Sequence, residues 1–252
     1  MIIKGFIIGI GKILPGVSGA VLAITLGVYD KCIYILSNLR NELFKNLKFV
    51  IQLMIGFIIS ILLGSRIIYF FINNYYIYTM YLFIGLVIGT IPCLIKQTKF
   101  DKKNILYLII GFILLLIINF VSIGIKLESY FLLGLIESIS MLIPGISGTA
   151  LMMMFGNYNM MLELLINPFK YQFLIFLLGL IVGIIIISKV INHFITKYKD
   201  QSYYLITGFL LSSLVSLYIS IMHIRISIID GIISILLLIL GIFISKKLNK
   251  KD

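Results

Sequence analysis

The sequence predicts an all-α polytopic membrane protein built from two inverted repeats, each a broken, re-entrant helix pair followed by three transmembrane helices. Three observations lead to this fold class. First, the 252-residue chain is 61% hydrophobic, with a mean hydropathy of +1.17, which is more apolar surface than a soluble domain of this size can bury. Second, one five-residue motif occurs twice, 129 residues apart. Third, basic residues are concentrated on one side of the predicted spans.

The repeated motif is Pro15–Gly19 in the first half and Pro144–Gly148 in the second. Seven of fifteen positions are identical between Pro15–Tyr29 and Pro144–Tyr158. Pro-Gly breaks a helix, and the Ser-Gly that follows can start a new one whose first N–H groups lack intrahelical partners. Within lipid, a broken backbone survives only where protein buries it or where it lines a polar cavity. A single motif would be typical of a helix kink, whereas two copies half a chain apart favour a binding site.

In the first half, the motif separates two apolar runs, Ile2–Leu14 and Gly19–Leu36. The first run would form only about 20 Å of helix, which is too short to span a bilayer comfortably. The two runs together therefore predict a re-entrant hairpin with its turn at the motif. After the polar stretch Ser37–Lys48, three full spans are predicted, at Phe49–Ile72, Tyr76–Ile95 and Ile105–Ile125.

The second half repeats this order of elements. A broken pair is predicted at Ser129–Ile143 and Gly148–Leu165, and three spans follow, at Phe173–Ile195, Tyr203–Met222 and Ile228–Ser245. At an offset of 123 residues, Gly56 matches Gly179, Ser65 matches Ser188, Tyr75 matches Tyr198, and Arg66 is matched by Lys189. We interpret the chain as one integral-membrane domain with a first repeat at 1–125 and a second at 126–252.

Orientation follows from the number of crossings and from the basic residues. Each half crosses the membrane an odd number of times, whether its broken pair returns or spans fully, so the halves are inverted. Thirteen Lys and Arg residues flank spans on the side of the N-terminus, and three, Lys126, Lys170 and Arg225, lie on the other. The positive-inside rule then predicts a multi-pass protein of the cell membrane with both termini in the cytoplasm. Inverted repeats with broken helices are typical of secondary transporters.

The charge and the cysteines narrow the function classes. The formal net charge of +12 is explained by cytoplasmic loops and anionic membrane lipids, since the basic residues lie between apolar runs, and no nucleic-acid partner is predicted. Cys32 and Cys93 form no disulfide or metal pattern, so neither a metal nor another cofactor is expected.

Both motifs are followed, seven residues later, by Gly-x-Tyr, and the first half also contains Gly85–Pro92, reading GLVIGTIP. With these features the chain resembles the polyprenyl-phosphate transporters of bacteria and archaea, formerly a domain of unknown function, over nearly its whole length. The resemblance implies a transporter, or flippase, that returns undecaprenyl phosphate, the lipid carrier of cell-wall polymer synthesis, across the membrane for reuse. The chain departs from the family pattern at Ala20, where a second Gly is usual, at Thr149, where Ser is usual, and at Lys12, where an acidic residue is common.

A lipid phosphate needs a polar, anion-stabilising place for its head while its tail stays in lipid. Helix N-termini offer oriented N–H donors and a partial positive charge, and two entering from opposite faces would meet near the midplane. The predicted substrate-binding residues are therefore those of the two motifs: Pro15, Gly16, Ser18, Gly19, Pro144, Gly145, Ser147, Gly148 and Thr149. Arg66 and Lys189 would add charge, with snorkelling to the interface as the alternative.

Two charged residues, Lys12 and Glu137, lie in the apolar approaches to the motifs. One interpretation makes Glu137 the group whose protonation couples transport to a proton gradient, with Lys12 beside it. The alternative is an ion pair between Lys12 and Glu137 that holds the halves together.

Two rival functions differ in class from a lipid transporter. An intramembrane phosphatase or transferase would need a His/Arg or acidic metal constellation, and no His lies near either motif, so an enzyme is not expected. A small-anion channel or exchanger could use the same helix N-termini. A cavity that opens sideways to lipid would favour the lipid substrate. The coupling ion, the prenyl-chain length, the direction of transport and the oligomeric state stay open.

Overall fold

The computed structural model describes residues 1–13, 18–120, 127–146, 148, 151–152, 155–157, 160–161, 163–164 and 169–248. Within these residues the chain forms helices and no strands. The helices of the first half are α1 (Ile2–Ile13), α2 (Gly19–Thr25), α3 (Tyr29–Ser37), α4 (Leu39–Glu42), α5 (Leu47–Ile59), α6 (Ser65–Ile95) and α7 (Ile105–Phe120). Those of the second half are α8 (Tyr130–Leu142), α9 (Tyr171–Lys197), α10 (Lys199–Ile221) and α11 (Ile228–Leu248).

Four of the described helices are long and apolar enough to cross a membrane. They cover Asn73–Pro92, Tyr171–Lys197, Lys199–Ile221 and Ile228–Lys247, and the bent pair α2–α3 would make five if counted as one span. They coincide with four of the six predicted full spans. This confirms the prediction of an all-α, multi-pass membrane protein.

Matching tyrosines separate the consecutive spans in each half. Helix α5 continues through a π-helical turn, Ser60–Gly64, into α6, and α6 is interrupted at Tyr75, whose φ and ψ of −138° and 41° are not helical. Tyr198, the matching residue, stands between α9 and α10 with φ and ψ of −126° and 54°. The kinks fall where the sequence predicts the ends of Phe49–Ile72 and Phe173–Ile195.

In each half, hydrogen bonding joins the start of the first predicted arm to the region of the Gly-x-Tyr sequence. Lys4, in the first turn of α1, donates a 2.8 Å hydrogen bond from Nζ to the carbonyl oxygen of Leu26, just after α2. In the second half, the amide of Asn157 exchanges hydrogen bonds of 2.9 and 2.8 Å with the backbone of Leu127, which precedes α8. The two halves therefore share a contact between these two regions.

The second arm of the first hairpin is divided, which the sequence did not predict. The run Gly19–Leu36 was expected as one arm, but α2 ends at Thr25 and the chain bends by 116° into α3. Gly27 makes the bend with a φ of +64°, and Gly156 in the second half has a φ of +66°. The next backbone N–H reaches back five residues in each case, from Val28 to Ala23 and from Asn157 to Met152. This is the glycine-terminated helix end that a Gly-x-Tyr sequence permits.

Replacing Gly27 by alanine is expected to destabilise the protein by about 1 kcal/mol, because the left-handed conformation is unfavourable for a residue with a β-carbon. No steric clash is expected to add to this, since a β-carbon there would meet no atom of the described residues within 4 Å. Gly27→Asn should lose less, because asparagine tolerates this conformation. Chemical unfolding in mixed micelles measures both, and equal stability of Gly27→Ala and the wild type would contradict the assignment.

In each half, glycines at matching positions allow two helices to cross closely. These helices are α1 and α5 in the first half, and α8 and α9 in the second. A β-carbon at Gly56 of α5 would lie 1.9 Å from the carbonyl oxygen of Ile2, and one at Gly179 of α9 would lie 2.0 Å from that of Phe131. Gly5 and Gly134 repeat this from the opposite helices, at 2.0 and 2.1 Å from carbonyl oxygens. Helix pairs α1–α5 and α8–α9 thus use the same close contact.

Later helices of the two halves also pack against each other through close glycine contacts. Gly85 of α6 faces the carbonyl oxygen of Leu238 in α11, and Gly208 of α10 faces that of Leu108 in α7, each with a β-carbon distance of 2.1 Å. Helix α2 lies among these crossing helices. Its residues Ala20 to Thr25 are all buried, and it contacts α1, α6, α8 and α11. The first motif therefore leads into the core of the protein.

Candidate functional site

Helices α1 and α8 are joined by an ion pair between Lys12, near the end of α1, and Glu137, in the second half of α8. The Lys12 ammonium also donates a 3.2 Å hydrogen bond to Ser140 Oγ, and that hydroxyl donates to the carbonyl oxygen of Glu137 at 2.8 Å. The Glu137 side chain is 7% exposed and that of Lys12 is 27% exposed. The contact joins the two halves a few residues from each motif, as the ion-pair alternative in the sequence predicts.

The last glycine of the second motif lies directly on this carboxylate. A β-carbon at Gly148 would stand 2.5 Å from Glu137 Oε2 and 2.9 Å from Ser140 Oγ. In the first hairpin, a β-carbon at Gly11 would lie 3.3 Å from the Cα of Gly19. Glycine at the end of each motif therefore lets the second arm approach the first closely.

Ser18 is the residue immediately before α2, in an extended conformation with φ and ψ of −99° and 131°. It is buried, at 4% exposure. Its hydroxyl makes no capping bond to the helix and has no hydrogen-bond partner among the described residues. A buried hydroxyl without a partner is costly in a folded protein, and this one, at the first motif, is available to a polar ligand.

The second break is at Pro144 and Gly145, and both residues are buried. Gly145 has a φ of +88°, and a β-carbon there would lie 3.0 Å from the carbonyl oxygen of Phe209 in α10. Tyr29, from the Gly-x-Tyr of the first half, donates a 2.8 Å hydrogen bond from Oη to the carbonyl oxygen of Leu142. This carbonyl is one of those that the end of α8 leaves unpaired, so the first motif's tyrosine supports the second motif's break.

A cavity of about 600 Å³ lies beside the second break. Its walls come from α3, α7, the end of α8, α9 and α10 and are mainly apolar and aromatic, including Tyr29, Tyr107, Pro144, Phe194, Tyr198 and Phe209. Gln201 and Ser202 are its polar exceptions on α10. The size lies in the range of natural ligand pockets.

Comparison with known families gives a match over most of the chain. The family described as undecaprenyl phosphate translocase-like matches residues 8–230. The chain belongs to this family.

Two relatives have names that agree with the assignment to the undecaprenyl phosphate translocase-like family. A polyprenyl-phosphate transporter of Staphylococcus aureus is 30% identical, over 99% of this chain and 95% of its own length. A polyprenyl-phosphate transporter of Vibrio cholerae is 26% identical, over 84% of this chain and 75% of its own length. No solved structure matches the chain.

In this translocase-like chain, the structure brings together Ser18, Gly19, Gly148 and the pair Lys12–Glu137 around the two hairpin ends. Of the other predicted site residues, Pro144 and Gly145 form the second break, and Pro15, Gly16, Ser147 and Thr149 lie outside the described residues. Lys189 is exposed on α9, whereas its neighbour Ser188 is fully buried. Arg66 belongs to α6, and its side chain lies outside the described part.

Sequence reasoning missed two parts of the site. Ser140 and the hydroxyl of Tyr29 were not among the predicted residues, although Tyr29 belongs to the recurring Gly-x-Tyr. The cavity beside Pro144 had no signal in the sequence, because it is formed by five separate segments. Among the described residues, no group of three His, Cys, Asp or Glu side chains is placed to hold a metal ion.

Proposed function

We propose that this protein transports a polyprenyl phosphate, namely undecaprenyl phosphate, across the cytoplasmic membrane and so returns the carrier for reuse. The observation that carries the proposal is the meeting of the two motif-bearing segments at Lys12 and Glu137, near Ser18, whose buried hydroxyl has no partner among the residues that the structure describes. Membership of the translocase-like family and the names of the two relatives support the substrate. No catalytic step is part of the proposed function.

The phosphate would bind between the two hairpin ends. Ser18 would donate its hydroxyl, the N–H groups at the start of α2 would add further donors, and the partly exposed Lys12 ammonium would supply positive charge. Gly19 and Gly148 would allow the head group to approach the backbone closely. The motif residues Pro15, Gly16, Ser147 and Thr149, and the charges of Arg66 and Lys189, stay predicted contributors.

The proposed topology is a pair of inverted repeats with re-entrant hairpins. The bonds Lys4–Leu26 and Asn157–Leu127 support hairpins that return to their starting side. The matching glycine contacts in α1–α5 and α8–α9 support a common plan for the two halves. Because three spans follow each hairpin, the halves would face opposite ways, and the excess of basic residues would place both termini in the cytoplasm.

Protons are the proposed coupling ion, and Glu137 is the proposed carrier. A carboxylate beside a phosphate site repels the anionic head group when ionised and admits it when protonated. Gly148 against Oε2 places this carboxylate directly at the second motif. Its salt bridge with Lys12 means that protonation would also release the lysine, which could then neutralise the phosphate.

The test of the function is reconstitution of the purified protein into vesicles that contain labelled undecaprenyl phosphate. We expect the labelled phosphate to become exposed on the opposite leaflet faster than in protein-free vesicles, with a response to an imposed pH gradient. A small-anion exchanger would instead move inorganic phosphate and leave the lipid distribution unchanged. That result would overturn the proposal.

Ser18→Ala is expected to weaken binding of undecaprenyl phosphate by about tenfold, because one hydrogen bond to a charged group contributes about 1.5 kcal/mol. Stability should not fall, because the hydroxyl has no partner among the described residues of the unliganded protein. Ser234→Ala is the matched control, since Ser234 of α11 is also buried and its hydroxyl likewise finds no partner in the described part of the chain. Equal affinity in both variants would remove Ser18 from the phosphate site.

A further inference from the structure

The cavity beside Pro144 opens sideways as well as inwards. Three of its wall residues on or just after α9 are also at the protein surface, with Val190 46%, Phe194 50% and Tyr198 41% exposed. The exposed side chains in the first part of this helix are apolar, among them Leu178, Ile181 and Ile186, whereas polar side chains are exposed between the wall residues at its end, at Lys189, His193, Thr196 and Lys197. The apolar part of such a face on a membrane-spanning helix is in contact with lipid chains. The cavity therefore opens at the end of the lipid-facing surface, near the polar interface of the bilayer.

The inner end of the cavity is part of the second hairpin. Ile143 and Pro144 line it, and the chain continues from them to Gly148, which lies on the Glu137 carboxylate. Tyr29 lines the same space and is bonded to the carbonyl oxygen of Leu142. A molecule whose charged head lay at the hairpin ends would thus find an apolar space beside the head, with an exit to lipid.

We propose that this cavity binds the isoprenoid segment next to the phosphate and selects a single branched prenyl chain over the paired acyl chains of a phospholipid. The inference rests on the proposed function and adds the recognition of the tail. A volume of about 600 Å³ takes only part of a long prenyl chain, and the remainder stays in the bilayer. Aromatic walls, such as Phe194, Phe209 and Tyr107, present flat faces against which the double bonds and methyl groups of isoprene units pack.

The cavity contributes specificity rather than a hydrophobic driving force. Lipid tails are as apolar as the walls, so moving a chain from the bilayer into the cavity releases no ordered water. The gain comes from close packing, which depends on shape. A head group shared by polyprenyl phosphate and phosphatidic acid would therefore be distinguished by the chain that follows it.

The chain contains no tryptophan, which allows a direct test. Phe194→Trp places a single fluorophore in the cavity wall, and Phe243→Trp places one on α11 at a position that is 68% exposed and outside the cavity wall. We expect a saturable emission shift on adding undecaprenyl phosphate to Phe194→Trp and none with Phe243→Trp. Phosphatidic acid with two acyl chains should give no saturable shift in either protein.

A second pair of variants tests the same cavity without a fluorophore. Ile191→Phe narrows the cavity and should weaken undecaprenyl phosphate binding by about tenfold, whereas Ile186→Phe on the same helix, outside the cavity wall, should not. Wild-type binding of the radiolabelled lipid is measured in parallel. If the wild type binds but Phe194→Trp responds equally to phosphatidic acid, or Ile191→Phe binds normally, the cavity inference is wrong and the proposed function stands. If the wild type binds no polyprenyl phosphate, both fail.

Discussion

Lys12→Met is expected to destabilise the protein by about 3–5 kcal/mol, because it leaves the buried carboxylate of Glu137 without its partner. The Glu137 side chain is only 7% exposed, and the described contacts of its carboxylate are with Lys12 and, by close approach, Gly148. The double variant Lys12→Met with Glu137→Gln should recover most of the loss, since no unpaired charge is then buried. Chemical unfolding in mixed micelles at neutral pH measures the three proteins.

Lys45→Met is the matched control for this prediction. Lys45 pairs with Glu42 at 3.1 Å on the surface, where its side chain is 69% exposed, so its removal should change stability by less than about 1 kcal/mol. If Lys12→Met and Lys45→Met lower the free energy of unfolding equally, the ion pair between Lys12 and Glu137 stabilises the protein no more than a surface pair does.

The double variant also separates the two interpretations of Glu137. The double variant also lacks the Lys12 charge proposed for the phosphate site, so it should bind undecaprenyl phosphate more weakly in either case. If Glu137 carries the coupling proton, the transport that remains loses its response to a pH gradient. If the pair only joins the halves, the remaining transport keeps the wild-type pH response. Because the double variant leaves no unpaired buried charge, it tests the role of Glu137 in coupling separately from the role of the ion pair in stability.

Gly179→Ala and Gly56→Ala are expected to destabilise the protein by about 1–3 kcal/mol or more, the cost of overpacking a close contact. The added β-carbons would lie 2.0 and 1.9 Å from backbone carbonyl oxygens of the facing helices. Backbone atoms cannot rotate away as a side chain can, so α8 and α9, or α1 and α5, must separate by about an ångström, with loss of close packing around the crossing.

A third glycine is the control for this pair. Gly231 of α11 has space for a side chain, since within the described part of the chain an added β-carbon would contact only Ile226 Cδ1, at 3.7 Å. Gly231→Ala should be neutral or stabilise the protein by up to about 1 kcal/mol, because alanine favours the helix. Gly56→Ala and Gly179→Ala should lower stability by similar amounts. A loss of stability in only one of the two variants would contradict the proposal that both halves use the same helix crossing.

Part of the candidate site was readable from the sequence. The two motifs, their glycines and the pair of charges near them were all found, because a broken helix or a charge inside an apolar run is conspicuous locally. The interruption at Gly27 was missed, although Gly-x-Tyr recurs in both halves. Glycine is also common where helices pack closely, so the presence of a glycine in the sequence does not by itself indicate a positive φ.

The sequence by itself determined the membrane-protein class, the repeated motif and most of the span boundaries, since these depend on local composition and on backbone chemistry within a few residues. Only the tertiary structure decided that Lys12 pairs with Glu137, that Gly148 lies on its carboxylate and that a cavity opens beside Pro144. The ion pair and the cavity join segments that are about half the chain apart or more, and they depend on the depth and crossing angle of helices. In a membrane protein the sides that face lipid and the sides that face other helices are both apolar, so the sequence pattern leaves that arrangement undetermined.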